Sequence, residues 1–447
     1  MKKTLWFLPV LVLILGFVIV KQYPRLNIVS GYAAKNMCSC MFEAGRTEQS
    51  VIDEDNNFSP INKVKYNIDT TRRIVEASVF GLMKRKAVFY DNVGCQLVQK
   101  GETPKIIVDH PVSNNCPLAT YYPYGLEDHK DTLFSNINYN KLDKAVRLAF
   151  DKPDRDSLMT RALIVLYKDH IIAEKYDEGF DKNTKILGWS MSKSILITLF
   201  GILEKQGRLN EDDTDLFPEW ANDERKNISI KNLMQMSSGL EWNEDYKHIS
   251  DVTTMLFLEN DMGRVQLEKP LAYPVGSHWN YSSGTTNLLS LLLRNKFLTH
   301  QDYLDFPVKQ LYDKLGMKSA LMETDPSGTY VFSSYGWATP RDWGKLGLLY
   351  LHNGEWNGEQ IINKHWVDYV TTPCEHSNGE YGAHLWLNAG GKYPDCPRDM
   401  YMMVGHQGQR VYVLPSQDMV IVRMGLNETT EFDYNTMVSN IIGSIEH

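Results

Sequence analysis

The residues best suited to covalent chemistry lie in the quartet Ser190-Met191-Ser192-Lys193, which opens the apolar run of residues 195–203. If this run is helical, Ser190 and Lys193 are three positions apart and lie on one face of the helix. A serine hydroxyl is a weak nucleophile without help, and an amine whose pKa is lowered by burial can take its proton. The quartet therefore predicts Ser190 as an acylated nucleophile and Lys193 as its base. The alternative is that Ser190 caps the helix and Lys193 is solvated.

A tyrosine further along the chain could complete such a site. Tyr281 begins the sequence Tyr281-Ser282-Ser283-Gly284, between a turn at residues 274–276 and an apolar run at residues 288–293. A phenol at a loop-to-helix junction can be held over the nucleophile and pass a proton to the leaving group. The alternative is a half-buried tyrosine that bonds to a backbone carbonyl.

A third element, His406-Gln407-Gly408, leads into β-patterned runs at residues 410–414 and 419–422. The turn residues between these runs predict a hairpin. A second His-x-Gly at residues 352–354 ends a helical pattern, where glycine is the expected C-cap. Of the two copies, only that at His406 is therefore expected on a strand edge beside the nucleophile.

Taken in order, Ser190-x-x-Lys193, Tyr281-x-Ser283 and His406-x-Gly408 resemble the active-site signature of the penicillin-recognising serine hydrolases. That superfamily includes serine β-lactamases, DD-peptidases and related esterases and amidases. The tyrosine of the second motif resembles class C. The histidine of the third motif, in place of lysine, is similar to the esterase and 6-aminohexanoate-oligomer hydrolase branch, as are residues 233–240 and 334–343. The likeness covers roughly residues 140–445.

The resemblance implies a role for each motif. The serine, lysine and tyrosine would be catalytic, and the backbone N–H groups of Ser190 and Gln409 would form the oxyanion hole. The residues expected to bind substrate are His406, Gly408 and Ser283. Because histidine is mostly neutral at pH 7, we expect weak recognition of a substrate carboxylate and poor turnover of β-lactams. No cofactor is needed for this chemistry.

The sequence thus predicts a serine hydrolase that cleaves an ester or amide bond through an acyl-enzyme on Ser190. Two alternatives share this nucleophile: an envelope DD-peptidase or β-lactamase, and a non-catalytic penicillin-binding, sensor-like module. A third is an α/β-hydrolase, since residues 188–192 nearly match Gly-x-Ser-x-Gly. The second glycine is missing and no strand-helix alternation surrounds the match, which disfavours that fold.

The N-terminus carries a membrane signal. Residues 4–20 are uncharged and almost wholly apolar, and they lie between Lys2-Lys3 and Lys21. This length is near the lower limit for a spanning helix, and no small-x-small cleavage site follows closely. We therefore expect an uncleaved anchor at residues 1–20, with the body in the periplasm or otherwise outside the cytoplasm of a bacterial cell. The alternative is a buried helix of a soluble protein.

Composition restricts the partners. The formal charge of −8 provides no basic footprint for nucleic acid, so a small-molecule or peptide-like acyl substrate is expected. Six cysteines are an even number, as an oxidising compartment favours. Their pairing stays open, although Cys374 and Cys396 bracket one excursion and could close it. Cys38-x-Cys40 lacks a second close Cys or His pair, so no metal site is expected.

Three segments follow from the patterns along the chain. After the anchor, residues 21–130 mix short β-patterned runs with polar loops and predict a small β-rich leader subdomain. Residues 131–447 form the hydrolase domain, with strands predicted near both of its ends and helices between them. Such a pattern predicts an α+β fold, in which one antiparallel sheet is flanked by terminal helices beside a helical lobe. This is also the β-lactamase-like architecture that the resemblance implies.

Overall fold

The computed structural model describes residues 7–99, 111–113, 120–125, 127–150, 158–426 and 432–446. The chain divides into two compact units. Unit 1 comprises Met1–Ile106, Asn243–Met262 and Asp325–Gly328, and unit 2 comprises Ile107–Trp242, Gly263–Thr324 and Thr329–His447. The division expected from the sequence, with boundaries at residues 20 and 130, stays a prediction.

The α-helices of the described residues are α1 (Phe7–Phe42), α2 (Glu48–Asp53), α3 (Tyr139–Leu148), α4 (Ser192–Lys205), α5 (Ile230–Met234), α6 (Asp251–Leu258), α7 (Met262–Leu267), α8 (Ser283–Asn295), α9 (His300–Pro307), α10 (Asp313–Leu315), α11 (Pro340–Leu351), α12 (Lys364–Val370) and α13 (Tyr434–Ile442).

The strands of the same residues are β1 (Val64–Asp69), β2 (Ile74–Val79), β3 (Leu82–Tyr90), β4 (Gly94–Val98), β5 (Tyr121–Tyr122), β6 (Glu127–His129), β7 (Thr160–Tyr167), β8 (His170–Tyr176), β9 (Ile186–Leu187), β10 (Leu321–Met322), β11 (Gly336–Ala338), β12 (Glu355–Trp356), β13 (Glu359–Gln360), β14 (Trp386–Leu387), β15 (Tyr401–Gly405), β16 (Gln409–Leu414) and β17 (Met419–Gly425).

Unit 1 contains helix α1 and a four-stranded antiparallel sheet in the order β1-β2-β3-β4. Alternate residues of β2, namely Val75, Ala77 and Val79, are buried, as expected of a sheet with one face on a core. A disulfide between Cys38 and Cys95 joins α1 to β4. The β-patterned runs of the leader correspond to β1, β3 and β4, whereas residues 21–42 continue α1.

The anchor expected at residues 1–20 lies partly outside the described residues, since α1 begins at Phe7. Within the part of the chain that the structure describes, no helix combines the length and apolar character needed to cross a membrane.

Unit 2 contains a six-stranded antiparallel sheet in the order β14-β15-β16-β17-β7-β8. It joins strands from both ends of the unit, as the sequence predicts. The two loop residues between β7 and β8, Lys168 and Asp169, have φ of +47° and +63°. Both values are positive, as the type I′ turn of a tight hairpin requires.

Both faces of this sheet are covered. One face packs against the terminal helices α3 and α13 through a cluster that includes Leu163, Tyr412 and Ile421. The opposite face, with Ile164 and Val413, belongs to a larger core that includes α4, α8 and α11. An antiparallel sheet flanked by the terminal helices and packed on its other face against further helices is the α+β arrangement that the sequence predicts. Residues 192–203 of α4 are all buried, which marks α4 as the central helix of the unit.

Candidate active site

Ser190 lies in a short 3₁₀ turn, Trp189–Met191, between β9 and α4. The helix predicted at residues 195–203 is confirmed as part of α4. Trp189 has φ of +48°, a strained conformation for a bulky side chain. Its Nε1 donates to Gln407 Oε1 at 2.9 Å, and its ring meets the His406 ring edge-on with centroids 5.4 Å apart. Such strain persists only where the surroundings fix it, and it clusters at functional sites.

Lys193 lies in the first turn of α4 and is 2% exposed. Its Nζ lies 3.0 Å from Ser190 Oγ and 3.0 Å from Ser283 Oγ. The same nitrogen donates to the carbonyl oxygen of Ser333 at 2.9 Å. The burial contradicts the alternative in which Lys193 is a solvated first-turn residue.

The second motif begins α8. Ser282 is the N-cap, and its Oγ accepts from the backbone N–H of Thr285 at 2.9 Å. Ser283 is the first residue of the helix and is fully buried beside Lys193. Tyr281 therefore lies at a loop-to-helix junction, as the sequence predicts, and Lys193 Nζ is 4.9 Å from the centroid of its ring. The structure thus brings the first two motifs together.

The third motif closes the hairpin formed by β15 and β16. His406–Gly408 form a 3₁₀ turn, and Gly405 pairs with Gln409 across the two strands. A Cβ at Gly405 would overlap the carbonyl oxygen of Gly188, so this glycine lets the hairpin lie directly against the turn that holds Ser190. The hairpin predicted after His406 is confirmed as β16 and β17. The second His-x-Gly follows the end of α11, also as predicted.

Arg423 holds the third motif in place through a hydrogen bond to its backbone. Its guanidinium is fully buried, and Nη1 donates to the carbonyl oxygen of Gly408 at 2.9 Å. Nη2 donates to Leu158 O at 2.7 Å and to Thr160 Oγ1 at 2.9 Å. Sequence reasoning missed this residue, although an arginine within the apolar strand Met419–Gly425 is a signal, since a buried arginine must be paired.

Both the backbone N–H and the side-chain amide of Gln409 are hydrogen-bonded. Its backbone N–H donates to the carbonyl oxygen of His406 and so closes the 3₁₀ turn. Its side-chain amide donates to Gly425 O at 2.6 Å and accepts from Gly425 N at 3.0 Å. An oxyanion would therefore have to share or replace the bond to His406. The oxyanion role of this N–H stays a prediction.

His384 is a buried residue of the site that sequence reasoning missed. Its Nδ1 lies 2.7 Å from Met234 O, and its Nε2 lies 3.1 Å from Thr286 Oγ1. Burial lowers the pKa of His384 to about 3; the hydrogen bond to Met234 O opposes this shift, and the proximity of Lys193 contributes to it. The neutral ring therefore donates through Nδ1 and accepts through Nε2. No local pattern marks this residue, because its partners lie 150 and 98 positions away.

Tyr281, whose ring lies next to Lys193, belongs to a cluster of aromatic side chains. Tyr281 and Trp386 have ring centroids 5.4 Å apart, and Tyr381 lies 5.1 Å from Trp386. Trp279 contacts Tyr381 at 5.4 Å. Tyr381 is buried, whereas the other three rings are partly exposed. These rings therefore form an apolar cluster that reaches the site through Tyr281.

The cysteines near this part of the chain are not joined. Cys374 and Cys396 are both free and buried, so the closure considered from their spacing is wrong. Cys374 Sγ lies 3.6 Å from Gln235 O, and Cys396 Sγ lies 3.8 Å from Asn435 O. Among the residues that the structure describes, no group of His, Cys, Asp and Glu is arranged to hold a metal ion.

The family of this chain follows from its similarity to known proteins. A family model described as β-lactamase matches residues 136–435, which is more than half of the chain. This chain belongs to the β-lactamase family. The resemblance drawn from the three motifs is confirmed, and the chain is a serine hydrolase of this superfamily.

Relatives of this β-lactamase-family chain include a 6-aminohexanoate-dimer hydrolase from Paenarthrobacter ureafaciens. It is 24% identical over 311 residues, which cover 63% of this chain and 76% of the relative. A solved structure provisionally named as a 6-aminohexanoate-dimer hydrolase from Bacillus anthracis is 20% identical with a TM-score of 0.59, over 76% of this chain and 90% of that one. EstCE1, a hydrolase with promiscuous acyltransferase activity, is 13% identical with a TM-score of 0.55, over 69% of this chain and 99% of that one. The similarities to solved structures show the fold alone.

Proposed function

We propose that the protein hydrolyses an ester or amide bond in two steps, through an acyl-enzyme on Ser190. The observation that carries this proposal is the buried amine of Lys193, 3.0 Å from both Ser190 Oγ and Ser283 Oγ. A serine beside a base that is itself fixed by other groups is the arrangement of an activated nucleophile.

The hydrogen bonds of Lys193 are compatible with a neutral amine. The Ser333 carbonyl has no proton, so one N–H must be donated to it. A neutral amine keeps a second N–H for one hydroxyl and a lone pair for the other. Ser190 can therefore donate its proton to Lys193 while Ser283 Oγ accepts the second N–H. Burial favours this neutral form, because desolvation disfavours the charged one.

In the first step Ser190 Oγ attacks the carbonyl carbon, and its proton passes to Lys193. The new negative charge on the carbonyl oxygen would be met by the N–H of Ser190 and, once it is released from His406 O, that of Gln409. Tyr281 then relays this proton from Lys193 to the leaving group, whose bond to the carbonyl carbon breaks. In the second step Tyr281 and Lys193 take a proton from a water molecule that attacks the acyl-enzyme, and they pass it to Ser190 Oγ as the acyl group leaves.

The surroundings of the nucleophile favour an uncharged or linear acyl donor. His406 stands where related enzymes have a lysine, so the site offers weaker attraction to a substrate carboxylate. The ring cluster of Trp279, Tyr281 and Trp386 offers an apolar wall instead. The similarity to a 6-aminohexanoate-dimer hydrolase supports a linear amide as a candidate substrate.

A membrane-anchored location outside the cytoplasm completes the proposal. The uncharged run of residues 4–20 between lysines supports an uncleaved anchor. The disulfide between Cys38 and Cys95 supports an oxidising compartment such as the periplasm. Protease treatment of spheroplasts should then digest the body and leave the N-terminal peptide in the membrane fraction. A mature form that lacks residues 1–20 would contradict the anchor.

The reaction is tested with the purified chain on short-chain esters, linear amides, D-alanyl peptides and a chromogenic cephalosporin. We expect turnover of esters or linear amides and little turnover of the cephalosporin. Tyr281→Phe keeps the ring and loses the phenol, so it should lower amide turnover by roughly two to four orders of magnitude. Selective D-alanyl peptide turnover would favour a DD-peptidase. Stable acylation without release would favour a penicillin-binding sensor.

A further inference from the structure

We propose that the tip of the β2–β3 hairpin in unit 1 inserts into the surface of a lipid bilayer, beside the N-terminal anchor. This inference rests on the membrane attachment proposed above and adds a second point of contact. The lipid-contacting tip comprises Phe80, Gly81 and Leu82.

The backbone conformation of the tip is unfavourable for a phenylalanine. Val79 pairs with Leu82, so Phe80 and Gly81 form a two-residue loop, with φ of +52° and +74°. Loops of this kind favour Asn-Gly or Asp-Gly, because Asn and Asp tolerate positive φ. A phenylalanine at the first position is strained. Its ring does not compensate by packing, since Phe80 is 74% exposed and Leu82 is 56% exposed.

The tip lies level with the end of the apolar run in α1. Cys38 is joined to Cys95, which pairs with Phe89 of β3, four positions after Arg85. Arg85 Nη1 in turn donates to Asn27 Oδ1 at 3.0 Å. Helix α1 and strand β3 therefore run in the same direction. From Arg85 back to Leu82 is three strand residues, or about 10 Å, which equals the rise of about seven helical residues. Seven residues before Asn27 in α1 is residue 20, so the tip lies level with that residue.

The surroundings of the tip are basic. Val64 of β1 pairs with Val79, which places Lys63 and Lys65 beside the loop, and Lys84 follows it on β3. All three lysines are exposed. No Asp or Glu occurs in residues 60–66, 77–86 or 21–26. Exposed apolar side chains surrounded by lysines suit the interface of an anionic membrane, where rings enter the headgroup region and lysines meet phosphates.

The test uses the full chain in vesicles of phosphatidylglycerol and phosphatidylcholine. Phe80→Cys is labelled with an environment-sensitive fluorophore, and quenching by nitroxide-bearing lipids is measured. Thr71→Cys is the matched control, because Thr71 is exposed at the opposite end of the same sheet, in the β1–β2 turn. The labelled parent chain gives the background from native cysteines. We expect severalfold stronger quenching at position 80 than at position 71.

The outcomes separate this inference from the proposed anchor. If the chain sediments with the vesicles but position 80 is quenched no more than position 71, the hairpin contact is wrong and the anchor stands. If the chain does not sediment with the vesicles, both are overturned. Phe80→Asn should also unfold at the same or a higher temperature, since Asn suits the turn. A lower unfolding temperature would show that the ring packs within the protein and would contradict the inference.

Discussion

At the scale of single residues, the proposed chemistry depends on a lysine that is removed from water yet surrounded by oxygens. Lys193 contacts Ser190, the first residue of α8 and a backbone carbonyl at once. Its position is therefore fixed by two helices and one loop. A residue fixed in this way can accept and return a proton without moving, which is what both proposed reaction steps require.

The first prediction concerns this lysine. Lys193→Ala should lower kcat/KM on an ester nearly as much as Ser190→Ala, because residues that act as a unit are non-additive. The double variant should be no slower than either single variant. Lys205→Ala, at the exposed end of the same helix, is the control and should keep full activity. A Lys193→Ala variant that retains most of its activity would show that another group is the base.

The second prediction concerns pH and stability. His384 is neutral in the folded protein down to a pKa of about 3, whereas an unfolded histidine binds a proton below about pH 6.5. Its contribution to stability is therefore complete above pH 6.5 and is lost as the pH falls from there toward 3. The loss is at most about 1.4 kcal/mol per pH unit.

His384→Gln should accordingly show a shallower fall in the free energy of unfolding between pH 6.5 and 4, measured by urea titration. Comparison with the parent chain removes the contribution of carboxylates that both proteins share. His278→Gln, at an exposed position, is the matched control for the loss of one histidine. Parallel curves for His384→Gln and the parent would mean that the buried ring is protonated in the folded state.

The sequence is informative about residues whose roles depend on spacing within a motif. Ser190, Lys193 and Ser283 come together as the motifs indicate. His384 and Arg423 could not be found in this way, because their partners come from distant parts of the chain. Whether a buried polar residue is satisfied is decided only by the tertiary fold.

At the scale of elements, the site depends on how closely the β15–β16 hairpin approaches the turn before α4. Gly405→Ala should push these elements apart, since a Cβ there would overlap the carbonyl oxygen of Gly188. We expect kcat/KM to fall by about a hundredfold, the cost of misplacing a reacting group by about 1 Å. Gly443→Ala is the control, because Gly443 has φ of −64° and a Cβ there would lie 3.3 Å from Ser439 O, whereas a Cβ at Gly405 would overlap Gly188 O.

This prediction is checked by steady-state kinetics together with circular dichroism at the assay temperature. A folded Gly405→Ala variant with unchanged kinetics would show that the hairpin need not contact the nucleophile turn.

Elements with a clear hydrophobic period were predictable, and those fixed by long-range contacts were not. The periodic run of α4 and the alternating strands β16 and β17 are confirmed. The 3₁₀ turn at Trp189–Met191 was not predicted, because its strain is imposed by contacts with Gln407 and His406. The continuation of α1 to Phe42 was also missed, since its cysteines and small residues carry no strong period.

At the scale of the whole molecule, the two units differ in how much of their structure could be predicted from the sequence. Unit 2 contains most of the residues that the family model matches, and its motifs and terminal helices are visible in the sequence. Unit 1 recruits Asn243–Met262 and Asp325–Gly328, segments that lie far from its sheet in sequence. Gln96 Nε2, for example, donates to the carbonyl oxygen of Asp325 at 2.9 Å. Local patterns contain no sign of such pairings.

The fourth prediction concerns the disulfide of unit 1. The Cys38–Cys95 bond closes a separation of 57 residues, for which loop-closure entropy gives a stabilisation of roughly 4 kcal/mol. Replacing both cysteines by alanine should lower the stability of unit 1 by this order, measured by urea unfolding. Cys40→Ala is the control, since Cys40 is a buried cysteine of the same helix that lies outside the disulfide. Equal effects of the two changes would mean that the bond does not form in the native protein.

The central claim, that Ser190 is acylated, is tested most directly by peptide mapping after a fluorophosphonate probe. The adduct should lie on the peptide that contains Trp189 to Lys193, and Ser190→Ala should carry none. Lys193→Ala should be labelled much more slowly, because the probe needs the same activated hydroxyl. An adduct on Ser282 or Ser237, or equal labelling of Ser190→Ala, would contradict the account.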